Sequence, residues 1–148
     1  MRDLPRQLSA DELAELFEGR TRFVELLAER ENPLEAAPKV IAELDEAERL
    51  EALDAHPAIG AGGLSTRSAG EQGADADPVV LTELAYLNQV YEEKFGFRFV
   101  VFVNRRPKAE ILDVLRARLE RSREEELETG LNELVAIARD RWQRPIQQ

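Results

Sequence analysis

The sequence predicts an all-α fold, a bundle of about seven helices in one domain spanning residues 1–148. Three observations predict it. Apolar residues recur at helical spacing along most of the chain. Helix-start signals precede those stripes. Only one long stretch of low hydrophobicity interrupts them, and only one run has strand-like composition. At 148 residues the chain fits one domain and leaves little room for a second core.

The first helix is expected near 10–18, where Ser9-Ala10-Asp11-Glu12 reads as a capping box. A second follows near 20–30. Asn32-Pro33 opens a third, near 34–44, with a capping residue before a proline whose missing N–H costs nothing in a first turn. Asp45-Glu46-Ala47-Glu48 is another capping box and opens a helix near 46–55. Asp77-Pro78 starts the helix near 78–95, in which Val80, Leu84, Leu87, Tyr91 and Phe95 share a face. Ile111, Leu115 and Leu119 line a helix near 107–121, opened less cleanly by Arg106-Pro107. Leu127, Leu131, Leu134, Val135, Ala138 and Trp142 form the stripe of the last, near 123–142.

Two stretches fall outside this pattern. Five of the eight glycines (60, 62, 63, 70 and 73) lie in the loop GAGGLSTRSAGEQG. A loop this long inside a compact domain tends to be functional or mobile. Phe97–Val103 is β-branched and aromatic, bounded by Gly96 and Asn104. A lone strand has nothing to pair with in a helical bundle, so this short run is expected to be an extended, buried segment between helices.

Composition excludes several functions. There is no Cys and only one His, so disulfides, thiolate catalysis and a His-rich metal site are all excluded. A net charge of −10 disfavours nucleic-acid binding, and an anionic ligand would need a local basic pocket. The longest apolar runs, such as Phe99–Val103, are far too short to span a bilayer, so no membrane partner is expected. The acidic residues near the N-terminus do not suit a signal peptide, and a cytoplasmic location is expected. Nucleotide-binding glycine motifs, serine-hydrolase elbows and zinc-protease motifs do not occur.

Few residues remain that could carry chemistry. His56 ends the helix near 46–55, and Pro57 forces it out of the α region at the mouth of the glycine loop. It reads either as a general acid or base or as a capping imidazole with no task. A helix C-terminus would raise its pKa and burial would lower it. Ser68-x-x-Glu71-Gln72 lies among the loop glycines and reads as a close-approach site or as a short capping box. Asn88, on an apolar face, reads as a structural amide tying down a loop. Arg139 and Arg141 flank the last stripe about 80° to either side, so helical geometry does not say which points inward. Arg116, Arg118, Arg121 and Arg123 alternate with glutamates and read as a solvated face.

In combination these residues form a pattern. His56-Pro57-Ala58-Ile59-Gly60, Ser68-x-x-Glu71-Gln72, Leu87-Asn88-x-x-Tyr91-x-x-Lys94-Phe95-Gly96-Phe97-x-Phe99-Val100 and Glu124–Glu126 leading to Ile137-Ala138-x-x-Arg141 resemble the 2-oxo-4-hydroxy-4-carboxy-5-ureidoimidazoline (OHCU) decarboxylase family in order and spacing, over about residues 12–142. The resemblance implies an all-helical homodimer that forms (S)-allantoin and CO2 in urate breakdown, with no metal or organic cofactor. It implies His56 and Glu71 as catalytic residues. It implies Pro57, Ser68, Gln72, Arg141 and the backbone at Phe99 and Val101 as contacts to the substrate. The chain departs from the family at Ala58, where an acidic residue is common, and at Arg98, where proline is frequent. The loop after Gln72 is shorter than in many members and lacks their Ala-Gly-Leu.

The chemistry suits these residue types. The substrate carries a carboxylate and a hydroxyl on one carbon beside a C=N bond, so it is its own electron sink. An imidazole can manage the hydroxyl proton, an arginine can hold an anionic oxygen, and Glu and Gln can read a ureido group. A helical interaction module that merely kept the fold would have no reason to retain His56, Glu71, Gln72 and Arg141 together. A lyase acting on a related ureido compound would have the same reason to retain them.

Overall fold

The computed structural model describes residues 8–56 and 77–143. Among the described residues there are seven helices and no strand. They are α1 (Ala10–Phe17), α2 (Arg22–Leu27), α3 (Pro33–Glu43), α4 (Glu46–Asp54), α5 (Pro78–Phe95), α6 (Lys108–Arg118) and α7 (Arg123–Gln143). The all-α expectation holds. The second helix is shorter than its sequence suggested, because Thr21 caps it by accepting from the N–H of Val24 and the chain leaves the helix after Leu27.

Both expected capping boxes form, at Ser9 with Glu12 and at Asp45 with Glu48. Asp77 caps α5 by accepting from the N–H of Val79 at 3.0 Å. Asn32 differs: its side chain makes no capping bond, and Pro33 alone marks the start of α3. α3 also contains Pro38, which has no N–H to return to the carbonyl of Leu34 one turn earlier. Arg139 of α7 supplies the donor instead, with Nη2 at 2.9 Å from that carbonyl.

The longest helix, α7, packs against α1, α3 and α4, while α2 packs against α1, α3 and α4, and α5 against α6. The core is one continuous cluster to which every helix contributes: Leu13, Phe23, Val40, Leu53, Tyr91, Ile111 and Leu131 are each fully buried. Gly96 ends α5 at φ +83°, a left-handed turn that glycine adopts without steric cost. The turn sends the chain into the extended segment, where Phe97, Phe99, Val100, Val101 and Val103 are buried, as expected for this run.

That segment needs partners for its peptide groups, and side chains supply them. Asp54 Oδ1 accepts from the N–H of Arg98 at 3.0 Å, and Glu133 Oε1 from that of Phe102 at 3.1 Å. Arg106 Nη2 donates to the carbonyl of Phe102 at 2.6 Å, and Arg118 Nη1 to that of Val100 at 2.7 Å.

Arg118 corrects the expectation of a solvated arginine face. It is buried, with its guanidinium 4.6 Å from the centre of the Phe99 ring. Its Nε donates to Glu126 Oε1 at 2.7 Å, and the same oxygen accepts from the hydroxyl of Tyr91 at 2.7 Å. Glu126 has no solvent exposure, and Arg121 pairs with its other oxygen at 3.0 Å. Burial first, and then the bond to Glu126, hold the Tyr91 phenol above its ordinary pKa. Removing one partner of such a cluster strands the others without water. Glu126→Ala is therefore expected to cost about 3–5 kcal/mol of folding stability in urea titrations. A loss below about 1 kcal/mol, the range of exposed pairs, would contradict it.

Candidate functional site

Three elements converge at the end of α4. Gly19, just beyond α1, lies so close to this point that an added Cβ would stand 3.0 Å from the Cβ of Ala55. The approach brings the end of α1 beside the peptide that carries His56. Glu18 occupies the C-cap of α1 at φ +65°, a left-handed conformation that costs a non-glycine residue roughly 1–2 kcal/mol. From there its carboxylate pairs with Arg141, Oε1 to Nη1 at 3.1 Å. The same Nη1 donates to the carbonyl of Leu16 at 2.9 Å, so the end of α1 fixes the guanidinium plane.

This settles what helical geometry left open. Arg141 is 1% exposed, whereas Arg139 lies at the surface and serves the Leu34 carbonyl. Glu18 had no sequence signal beyond its place before Gly19, and it is the charged residue of the site that sequence reasoning missed.

His56 is buried, two residues beyond the end of α4. Its N–H donates to the carbonyl of Leu53 at 3.1 Å, continuing the last turn of α4. Its own carbonyl accepts from Arg98 Nη1 at 2.6 Å. Among the described residues no group bonds its Nδ1. The balance between helix terminus and burial resolves in favour of burial. Burial first, and then the charge of Arg141, push the imidazole down to about 4; Glu18 opposes this and Arg98 adds to it. The ring is neutral at pH 7.

Phe99 and Val101 are buried in the extended segment, and the Phe99 ring is committed to Arg118 and Tyr91. Asn88 is buried on α5, and its Nδ2 donates to the carbonyl of Leu84 at 3.0 Å, a bond within its own helix. Pro57, Ser68, Glu71 and Gln72 lie outside the described residues. An open depression of about 440 Å³, lined by Pro38, Phe102, Asn132 and Arg139 among others, holds neither His56 nor Arg141.

Comparison with known proteins gives a consistent picture. A family model described as OHCU decarboxylase matches residues 2–143. The 2-oxo-4-hydroxy-4-carboxy-5-ureidoimidazoline decarboxylase of Halalkalicoccus jeotgali is 30% identical over 70% of this chain and 62% of its own length. The uric acid degradation bifunctional protein of Bacillus sp. strain TB-90 is 28% identical over 93% of this chain and 30% of its own length. The chain thus spans less than two thirds of these relatives. A crystal structure of OHCU decarboxylase in the presence of (S)-allantoin superposes with a TM-score of 0.75 at 27% identity, covering 88% of this chain and 94% of that one.

The depressed imidazole has a consequence for stability. The folded chain protonates His56 near pH 4 and the unfolded chain near 6.5, so between these values the unfolded state binds more protons. The contribution is complete above pH 6.5 and is lost as pH falls through about 4. It is on the order of 3 kcal/mol. Urea titrations at pH 7 and pH 4 should show the wild type losing more stability than His56→Asn, by about that amount. Equal losses would contradict a buried, neutral imidazole.

Proposed function

The chain belongs to the OHCU decarboxylase family, and from that premise we propose that it converts 2-oxo-4-hydroxy-4-carboxy-5-ureidoimidazoline to (S)-allantoin and CO2, with His56 as the acid and base. The observation that carries this reading is the pairing of the chain's one imidazole, buried and neutral, with an arginine fixed in the protein interior. A neutral ring accepts a proton, and an oriented guanidinium holds an anionic oxygen.

The reaction follows from the substrate. The bond between the carboxylate and the hydroxyl-bearing carbon breaks, and its electron pair forms a carbon–carbon double bond as the C=N nitrogen gains a proton. The resulting enol gives up its hydroxyl proton as the carbonyl forms, and the neighbouring ureido-bearing carbon takes a proton on one face. His56 takes the hydroxyl proton. An imidazole at about 4 is a weak base in the free protein. A bound carboxylate would offset the charge of Arg141, the largest opposing influence after burial, and raise the imidazole toward the range where proton transfer works. Glu71, Ser68, Gln72, Pro57 and the peptide groups at Phe99 and Val101 complete the reading as substrate contacts, with Glu71 assisting proton movement.

Freshly generated OHCU decays by itself to racemic allantoin, so stereochemistry is the clean readout. The chain should yield (S)-allantoin, followed by circular dichroism of the product. A racemate formed at the spontaneous rate would overturn the proposal. His56→Asn should lower kcat roughly 10²–10⁴-fold.

Arg141→Lys keeps the charge but loses the fork, and should lower kcat/KM roughly 10–150-fold. Arg139→Ala should leave kcat/KM unchanged, because that side chain serves the Leu34 carbonyl. Equal losses at 139 and 141 would contradict the role of Arg141.

A further inference from the structure

We propose that Arg98 is the positioning residue of His56, clamping the peptide that carries the imidazole to the extended segment and to α5. The proposal rests on the reading of His56 as the reacting imidazole. Three bonds from one residue make the clamp. The main-chain N–H of Arg98 donates to Asp54 Oδ1, at the end of α4, at 3.0 Å. Its Nη1 donates to the carbonyl of His56 at 2.6 Å. Its Nε pairs with Glu92 Oε2, on α5, at 3.1 Å.

The position explains why these bonds matter. α4 ends at Asp54, and beyond it the His56 N–H still bonds the carbonyl of Leu53. Arg98 takes over on the other side of the residue, at the His56 carbonyl. The His56 main chain is thus held on both sides, by the Leu53 carbonyl at its N–H and by Arg98 at its carbonyl. The bond is charge-assisted and only partly exposed to water, because the Arg98 side chain is 27% accessible. The fork lets one side chain hold two elements at once; an ammonium is a single point, and a proline has neither the N–H nor the fork.

The guanidinium also bears on the ring's charge. Among the described residues, the charged groups that act on His56 are Arg141 from α7, Glu18 from the end of α1, and Arg98 from the extended segment. Arg98 and Arg141 favour the neutral ring and Glu18 favours the charged one. Loss of Arg98 therefore releases the ring in space and makes it easier to protonate.

The test compares the wild type with Arg98→Met and Arg98→Lys, each shown to be folded by far-ultraviolet circular dichroism. The readouts are kcat and KM with OHCU, the pH profile of kcat/KM, and the 1H–13C NMR signal of the single imidazole. Arg98→Met should lower kcat roughly 10–100-fold, the scale of a small misplacement of a reacting group, with KM little changed. Its imidazole signal should move, and the acid limb of the profile should shift to higher pH. Arg98→Lys should recover part of kcat. Wild-type kcat in Arg98→Met, or a fall in kcat with an unmoved imidazole signal, would overturn the proposal. Should the wild type itself make no (S)-allantoin, the functional reading falls, while the imidazole signal still decides whether Arg98 positions His56.

Discussion

A stretch of extended chain runs through the helical core, and its peptide groups have no neighbouring strand to bond among the described residues. A buried amide left unbonded costs about 1–3 kcal/mol, so the surroundings must provide donors and acceptors. Asp54, Arg106, Arg118 and Glu133 do so from four different places. Each of these bonds brings a charged side chain into contact with the segment, and Arg118 then requires Glu126 inside the core. The buried polar cluster is thus a consequence of the segment. So is the placement of His56, because the residue that Asp54 bonds, Arg98, also grips the His56 carbonyl.

The site shows the same economy of charge. Arg141 is fully buried and would be costly alone, and Glu18 compensates it from a backbone conformation that ordinarily belongs to glycine. Strain of this kind persists where the surroundings over-determine it and is common at functional positions. The pair leaves a local environment in which a neutral imidazole is favoured and an added anion would be well placed. On the function proposed above, a chain with a net charge of −10 would in this way offer an anionic ligand a basic contact without a basic surface.

Much of the fold was legible because helix physics is local. Capping boxes at Ser9 and Asp45 and the stripe from Leu84 to Phe95 fall where their spacing predicts. Arg118 and Glu126 were not legible from pattern, because an arginine–glutamate alternation looks the same whether water or an extended segment covers it. Glu126 is the third of three consecutive glutamates, and only its angular place on α7 turns it inward. The distinction between Arg139 and Arg141 also lay beyond periodicity; it depends on which helix crosses at each position and on the carbonyl that Pro38 leaves to Arg139. Glu18 acts through an end-of-helix conformation that no composition signal announces.

Everything proposed for the site depends on the state of one ring. The most direct measurement is an NMR titration of the imidazole in the wild-type protein, which needs no assignment because the chain holds one His. A midpoint near 4 is the expected result, with the ring neutral throughout the physiological range. A midpoint at or above the ordinary 6.5 would mean that burial and Arg141 do not govern His56, and would contradict the site described above.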